Sequence, residues 1–300
     1  MKNPPPSIIV LDGHTLNPDD NPWTEIGQFG PLRIFPRTPP GEILARSADA
    51  DILLTNKTPL GAATLEALPS LRFISVLATG HNIVDSAAAA ARGIPVSNVP
   101  AYGTAAVAQH TLALILELCH RVGEHAASVR AGDWAACPDF CYWRQSPVEL
   151  DGLTLGLIGR GRIGQRVAEI ARALGLVVRF ASCAHPAAAA AGEGLTPLDE
   201  LLATSDIISL HCALTPANTR FINHETLARM KPGAFLVNTA RGGLIDEQAL
   251  HDALCSGHLG GAALDVLTTE PPPAGHPLFA APRCIITPHM AWAGLAARRR

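Results

Sequence analysis

The segment that most constrains the fold is a glycine turn set between an apolar stretch and a helical pattern. Residues 153–158 are apolar and β-like, Gly159-Arg-Gly-Arg-Ile-Gly follows, and apolar residues then recur at helical spacing. Strand, glycine turn and helix in this order are typical of a dinucleotide-binding unit, and the flanking pattern disfavours an ordinary glycine-rich turn. Gly159 permits the tight turn, Gly161 lets the backbone approach a pyrophosphate, and Gly164 lets the helix pack closely on the strand.

Short β-like runs alternate with helical patterns over nearly the whole chain, which predicts an α/β fold with parallel sheets. The predicted strands are 7–11, 33–35, 51–54, 73–77, 153–158, 177–180, 207–210, 234–238, 261–265 and 285–287. One long helix is predicted over 104–130. Because the glycine turn opens the second half, we predict a dinucleotide-binding domain at 102–289. It would be inserted into a substrate domain formed by 1–101 and 290–300.

Composition excludes several other classes of protein. The 300 residues suit two domains, and the net charge of −3 gives no basic surplus to attract nucleic acid or anionic lipid. No apolar run reaches the ~20 residues that span a membrane, and the N-terminus lacks a signal-peptide core, so we expect a cytoplasmic protein. The seven cysteines are odd in number and irregularly spaced, which favours reduced thiols. Cys137 and Cys141 have no neighbours that would complete a metal site, so none is expected.

Three polar residues follow predicted strands of the second domain: Arg241, Glu270 and His289. Ligands of open α/β sheets bind beyond the carboxyl ends of the strands, so these side chains are expected to converge on one cleft. Arginine offers a bidentate fork for a carboxylate, histidine exchanges a proton near neutral pH, and a glutamate would orient the imidazole and favour its protonated form. Each residue alone has an ordinary structural explanation. Together, beside a nicotinamide, they predict hydride transfer at a carbon next to a carboxylate.

Short motifs occur in a fixed order along essentially the full chain. They are Leu77-Ala-Thr-Gly-His-Asn, Gly93-Ile-Pro-Val-Ser-Asn-Val-Pro, Val107-Ala-Gln, the glycine hexapeptide, His211-Cys-Ala-Leu-Thr-Pro, Asn238-Thr-Ala-Arg-Gly-Gly, Leu264-Asp-Val and Thr287-Pro-His. The set resembles the D-isomer-specific 2-hydroxyacid dehydrogenase family. Thr55-Asn-Lys-Thr-Pro and Pro138-Asp-Phe-Cys-Tyr-Trp resemble its glycerate dehydrogenases, or hydroxypyruvate reductases. The resemblance implies two Rossmann-like, doubly wound parallel-sheet domains, the substrate domain being flavodoxin-like.

The resemblance also implies a role for each candidate catalytic residue. Arg241 would clamp the carboxylate of a small 2-keto acid, such as hydroxypyruvate or glyoxylate, and help to polarise its keto oxygen. His289 would donate a proton to that oxygen to form the D-2-hydroxy acid, and Glu270 would hold His289 in place. A second carboxylate anchor is implied at the backbone N–H groups of Ala78, Thr79 and Gly80.

A nicotinamide dinucleotide, NAD or NADP, is the implied cofactor. Asp265 would hydrogen-bond the nicotinamide carboxamide, while Arg162 and Ile163 would meet the pyrophosphate. The remaining expected cofactor contacts are Gly159, Gly161, Gly164, Ser182, His211, Thr239 and Ala240.

The choice between the two cofactors depends on the end of the second strand of this domain. NAD-specific domains place an acid there to bind the ribose diol, but this chain has Ser182 and no acid between Glu169 and Glu193. Losing the carboxylate removes its repulsion toward a 2′-phosphate, and His185 is the cation that follows. We therefore expect relaxed use of NAD and NADP.

Other functions and the quaternary structure follow from the same resemblance. This fold also serves as a nucleotide-sensing corepressor scaffold, although the three intact catalytic residues favour an enzyme. The chain ends at Arg300, within a helix that relatives continue, so a shortened and weakly active relative is a further alternative. Segment 104–130 and the aromatic arm at 134–149 would form a homodimer interface. Alternatively, Phe140, Tyr142 and Trp143 pack on their own subunit.

Overall fold

The chain folds into two α/β units. The computed structural model describes residues 4–182 and 194–300, and it divides into Met1–Gly103 with Ala293–Arg300, and Thr104–Trp292. These boundaries lie within three residues of the predicted ones. The second unit is therefore inserted in the sequence of the first.

The first unit contains a parallel sheet of short strands with helices between them. Its strands are β1 (Ile8–Val10), β2 (Leu32–Ile34), β3 (Ile52–Thr55), β4 (Phe73–Val76) and β5 (Val96–Asn98), and its helices are α1 (Thr24–Gly27), α2 (Ile43–Ser47), α3 (Ala62–Glu66) and α4 (Ser86–Ala91). The order β2-β1-β3-β4-β5, parallel throughout, is that of flavodoxin-like folds. Central strands such as β1 are continuous apolar runs because both faces of the sheet are covered.

The second unit contains the glycine turn and a larger parallel sheet. Its strands are β6 (Thr154–Ile158), β7 (Val177–Ala181), β8 (Ile207–Leu210), β9 (Phe235–Asn238), β10 (Gly261–Leu264) and β11 (Cys284–Ile286). Its helices are α5 (Thr104–His120), α6 (Val122–Arg130), α7 (Arg162–Ala173), α8 (Leu198–Thr204), α9 (His224–Ala228) and α10 (Glu247–Cys255). The strand order is β7-β6-β8-β9-β10-β11, with α5 and α7 packed on one face and α8, α9 and α10 on the other. The last helix, α11 (Leu295–Arg299), returns to the first unit.

This topology confirms the predicted fold class and shows where folds of this kind bind their ligands. The chain leaves β6 for the neighbouring edge strand β7 and then returns to the other side of β6 as β8. Such a reversal leaves a crevice at the carboxyl ends of β6 and β8, which is the usual ligand position in open α/β sheets. The glycine turn follows β6 at this point.

Some elements differ from the sequence prediction. The helix predicted over 104–130 is wrong as a single element, because Arg121 adopts a left-handed conformation, with φ 49°, and separates α5 from α6. The side chain of Glu117 accepts the N–H of Gly123 at 3.0 Å and closes this turn. Strand β5 and helix α1 were not predicted, since both are short and lie among proline and glycine residues.

Candidate active site

The three candidate catalytic residues follow neighbouring strands of the second unit. Leu264 of β10 is in register with Asn238 of β9 on one side and with Ile286 of β11 on the other. The segments that carry Arg241, Glu270 and His289 therefore leave the sheet at the same edge. The register places all three residues beyond the carboxyl ends of β9, β10 and β11.

His289 and Glu270 form a direct hydrogen-bonded pair. Nδ1 of His289 lies 2.5 Å from Oε2 of Glu270, and the two side chains are 29% and 34% exposed. Oε1 of Glu270 accepts the backbone N–H of Leu267 at 2.9 Å, so the carboxylate is itself held in place. Because Glu270 engages Nδ1, the orientation of the imidazole ring is fixed, and Nε2 is the ring nitrogen that this pair does not use.

The backbone at His289 is held in an uncommon conformation. Its φ of 51° lies in the left-handed region, which few residues other than glycine adopt. The N–H of His289 donates to the carbonyl of Asp265 at 2.8 Å, and its own carbonyl accepts from Nε1 of Trp292 at 2.9 Å. These contacts from both sides stabilise the conformation, as is common at functional sites.

Asp265 anchors the turn that carries His289. Its carboxylate is buried and accepts the N–H groups of Met290 and Ala291, each at 2.9 Å, and the hydroxyl of Thr287 at 2.6 Å. Burial alone would raise the pKa of Asp265, but hydrogen bonds from His110, Thr287 and the two N–H groups outweigh it and lower the pKa. The carboxylate is thus ionised and directed at the segment 287–291. Its contact with a nicotinamide carboxamide remains a prediction.

His110 belongs to this network and was not identified from the sequence. Nε2 of His110 lies 3.1 Å from Oγ1 of Thr287 and 3.5 Å from Oδ1 of Asp265. The next residue, Thr111, is buried and pairs its hydroxyl with that of Thr239 at 3.0 Å. The available signal was a run of three polar residues, 109–111, in an otherwise apolar stretch of α5. Two of them, His110 and Thr111, contact residues that follow strands of the sheet.

Arg241 is presented by a turn that Asn238 organises. The buried side chain of Asn238 accepts the N–H of Ala240 at 2.9 Å and donates to the carbonyl of Arg241 at 2.9 Å. The Arg241 side chain is exposed, and its Nη1 donates to the carbonyl of Ala240 at 2.6 Å. A Cβ at Gly242 would lie 2.0 Å from the carbonyl carbon of Leu267, so a glycine is required where this turn meets the segment after β10.

The glycine turn after β6 has the shape that a pyrophosphate needs. Gly159 has φ 112°, and a Cβ there would lie 2.5 Å from the carbonyl oxygen of His211, while a Cβ at Gly164 would lie 2.3 Å from that of Gly159. A Cβ at Gly161, by contrast, would meet nothing within 4 Å. Gly161 thus faces open space at the N-terminus of α7, where backbone N–H groups and the helix dipole favour an anion. These residues fit a dinucleotide.

His211 lies beside this turn. Its N–H donates to the carbonyl of Ile158 at 2.8 Å, and its Nε2 lies 2.9 Å from the hydroxyl of Ser209. Burial lowers the pKa of His211 to about 4, so the ring is neutral at pH 7. Thr239 and Ala240 follow β9, on the far side of β8.

At the end of β7 the structure shows a cation that the sequence pattern did not indicate. Ser182 directly follows β7, and the guanidinium carbon of Arg160 lies 5.7 Å from the centroid of the Phe180 ring. The sequence suggested a cation that follows Ser182 in the chain. Arg160 instead precedes Ser182 and belongs to the glycine turn. His185, the cation named for that role, lies outside the described residues.

The candidate carboxylate anchor belongs to the first unit. The carbonyl of Ala78 accepts the N–H of Val99 at 3.1 Å, and the carbonyl of Thr79 accepts Nδ2 of Asn98 at 2.8 Å. In a planar trans peptide the N–H points opposite to the carbonyl. The N–H groups of Thr79 and Gly80 therefore point away from β5.

Among residues 4–182 and 194–300, no group of three or more histidine, cysteine, aspartate or glutamate side chains is arranged to hold a metal ion. In the same ranges no helix has the length and apolar character that crossing a membrane requires.

Comparison with known proteins identifies the family. A sequence model of the D-isomer specific 2-hydroxyacid dehydrogenase, NAD binding domain, matches residues 112–291. The chain belongs to the D-isomer-specific 2-hydroxyacid dehydrogenase family. This dehydrogenase is 46% identical over 297 residues to a hydroxypyruvate reductase of Blautia hydrogenotrophica, covering 98% of this chain and 92% of that one.

Solved structures agree with that assignment. The dehydrogenase superposes on the TT0316 protein from Thermus thermophilus with a TM-score of 0.83 at 38% identity, covering 98% of this chain and 92% of the other. A second solved structure is an NADPH-dependent glyoxylate/hydroxypyruvate reductase from Sinorhizobium meliloti, in complex with NADP and malonate. Its TM-score is 0.81 at 27% identity, and the match covers 98% of this chain and 89% of the other. The chain is an oxidoreductase that binds NAD or NADP, as predicted.

Proposed function

We propose that this dehydrogenase interconverts a small 2-keto acid of the hydroxypyruvate and glyoxylate class and its D-2-hydroxy acid. The observation that carries the proposal is the pair formed by Nδ1 of His289 and Oε2 of Glu270 at 2.5 Å. An imidazole oriented by a carboxylate is the arrangement of a general acid and base. The name of the Blautia relative, hydroxypyruvate reductase, supports the substrate class.

The side chains at the carboxyl edge of the sheet have different proposed tasks in this reaction. The guanidinium of Arg241 binds the substrate carboxylate through its fork of N–H donors and helps to polarise the keto oxygen. Nε2 of His289 gives a proton to that oxygen in the reductive direction and removes it in the oxidative direction. Glu270 fixes the ring through Nδ1. The nicotinamide, when bound, supplies or accepts the hydride.

The substrate carboxylate has a second proposed anchor in the first unit. The N–H groups of Thr79 and Gly80 point away from β5, and that of Ala78 precedes them. Consecutive N–H groups in a turn form a concave site for an anion. A small 2-keto acid carries one carboxylate, which suits an anchor of this kind.

The proposed cofactor site follows the topological reversal of the second unit. The pyrophosphate would be held by the N–H groups at the start of α7, with the glycines leaving room for it. The residues proposed to line the site are Gly159, Gly161, Arg162, Ile163, Gly164, Ser182, His211, Thr239, Ala240 and Asp265. The neutral ring of His211 adds no charge near the phosphates.

A panel of 2-keto acids, each assayed with NADH and NADPH, tests the proposal. We expect turnover to be highest with hydroxypyruvate or glyoxylate and to give the D-isomer of the product. Absence of turnover with every 2-keto acid would overturn the proposal and favour a nucleotide-sensing scaffold instead.

We also propose that the enzyme is a homodimer formed through the aromatic arm. Phe140 and Trp143 are 89% and 60% exposed, and Val122 of α6 is 63% exposed. Tyr142 instead packs on its own chain, with its hydroxyl 2.5 Å from that of Ser128. Exposed aromatic side chains are enriched at protein interfaces.

Light scattering on the size-fractionated protein tests the dimer. A Phe140→Ser, Trp143→Ser double variant is expected to be monomeric. The matched control is Phe29→Ser, because Phe29 is 71% exposed in the first unit, away from the arm in sequence. A monomeric wild-type protein would contradict the proposal.

A further inference from the structure

Arg160 extends from the glycine turn to the end of strand β7. Its guanidinium carbon lies 5.7 Å from the centroid of the Phe180 ring, and a Cβ built on Gly194 would lie 3.7 Å from its Nη1. Phe180 is the penultimate residue of β7. The positive charge of Arg160 is thus located beside the outer strand of the sheet.

The register of β6 and β7 relates Arg160 to Ser182. Ile158 pairs with Ala181, and the N–H of Gly159 donates to the carbonyl of Ala181 at 2.9 Å. The glycine turn therefore runs alongside the end of β7. Ser182 directly follows β7, two residues after Phe180, whose ring the guanidinium covers. The charge of Arg160 is therefore located near the carboxyl end of β7, where Ser182 leaves the strand.

This is the position at which dinucleotide-binding folds distinguish their cofactors. An acid at the end of the second strand hydrogen-bonds the 2′-hydroxyl of NAD, whereas a nearby arginine accommodates the 2′-phosphate of NADP. The sequence has the neutral Ser182 in place of the acid, and no Asp or Glu occurs between Glu169 and Glu193. Arg160 is exposed, and its planar fork of N–H donors matches a phosphate.

We propose that Arg160 and Ser182 form a subsite for the 2′-phosphate and that the enzyme prefers NADP to NAD. This inference rests on the proposed function and deepens it. A preference for NADP replaces the relaxed cofactor use expected from the sequence. The arginine comes from the turn between the first two glycines, whereas the sequence pattern directed attention to the segment after β7.

Binding of nucleotide fragments tests the subsite without any turnover. Calorimetry on the whole chain at one ionic strength compares 2′,5′-ADP with 5′-AMP, which differ only in the 2′-phosphate. We expect 2′,5′-ADP to bind at least ~10-fold more tightly, equivalent to about 1.4 kcal/mol. Arg160→Leu should bring the ratio of the two dissociation constants close to about one, and Arg160→Lys should retain part of the preference.

Two further variants complete the test. Arg166→Leu is the matched control, since Arg166 is an exposed arginine of α7 that pairs with Glu169, and it should keep the wild-type ratio. Ser182→Asp should weaken binding of 2′,5′-ADP and leave that of 5′-AMP nearly unchanged. A wild-type ratio of about one or less, or a ratio unchanged in Arg160→Leu, would overturn the subsite.

The outcomes separate this inference from the proposed function. If the fragment ratios behave as expected while no 2-keto acid is reduced, the subsite is supported and the proposed function fails. If 2-keto acids are reduced and the two fragments bind equally, the proposed function is supported and the subsite is overturned.

Discussion

The buried carboxylate of Asp265 holds the backbone that presents His289. It accepts the N–H groups of the two residues after His289, while the carbonyl of Asp265 accepts the N–H of His289 itself. Glu270 separately fixes the imidazole ring through Nδ1 at 2.5 Å. The segment that follows strand β10 thus supplies both supports, Asp265 for the backbone and Glu270 for the ring. Such preorganisation is what the proposed proton transfer by His289 requires.

The pair of His289 and Glu270 predicts a specific pattern of kinetic loss. We expect His289→Asn to lower kcat by about 10²–10⁴, because the proton donor is removed. Glu270→Gln should lower kcat by a smaller factor. The double variant should lose about as much as His289→Asn alone, since Glu270 acts through His289. Steady-state kinetics measure this cycle, and additive losses in the double variant would contradict it.

The network behind His289 predicts that Thr287 supports catalysis from a distance. Thr287→Val removes the hydroxyl that links His110 to Asp265, which should cost about 1–2 kcal/mol of stability and lower kcat with little change in the cofactor Kd. Thr55→Val is the control, because the Thr55 hydroxyl is also hydrogen-bonded, to the carbonyl of Thr58 in the first unit. It should lose similar stability and keep its kcat. Equal kcat in both variants would refute the link.

The fold class could be predicted from the sequence, and so could the placement of Arg241, Glu270 and His289 after strands. Both depend on local sequence patterns. Apolar runs and the glycine turn determine strands, helices and their sequence positions. Contacts such as His110 with Thr287 were not predictable, since 177 positions separate the two residues. The position of Arg160 beside Phe180 was not predictable for a related reason, because the two residues come close only when β6 and β7 pair.

Burial of His211 predicts a loss of stability in acid. Burial lowers its pKa from 6.5 to about 4, so below pH 6.5 the unfolded chain binds a proton that the folded chain does not. The contribution is therefore fully present above about pH 6.5 and is lost as the pH falls toward about 4, by up to about 1.4 kcal/mol per pH unit. Urea unfolding across this range should show a weaker pH dependence for His211→Gln.

A second variant separates titration of His211 from loss of its hydrogen bond. Ser209→Ala removes the partner of Nε2 but leaves the imidazole in place, so the wild-type dependence on pH should remain. If Ser209→Ala and His211→Gln both flatten the pH dependence, desolvation of the imidazole is not its cause.

Two substitutions in the glycine turn, three residues apart, are expected to affect different properties: one weakens cofactor binding and the other lowers stability. Gly161 has an ordinary φ of −76°, and a Cβ there would meet nothing within 4 Å, so Gly161→Ala should change the unfolding free energy by about 1 kcal/mol or less. The added methyl group would occupy the space proposed for the pyrophosphate, so the Kd for NADPH should rise at least ~10-fold.

Gly164→Ala would place a Cβ 2.3 Å from the carbonyl oxygen of Gly159, which should destabilise the fold by about 1–3 kcal/mol. Gly275→Ala, also with nothing within 4 Å, is the control and should change neither quantity. Thermal unfolding measures the change in stability, and fluorescence titration measures the Kd for NADPH. Unchanged NADPH binding in Gly161→Ala would contradict the proposal that the pyrophosphate binds at this turn.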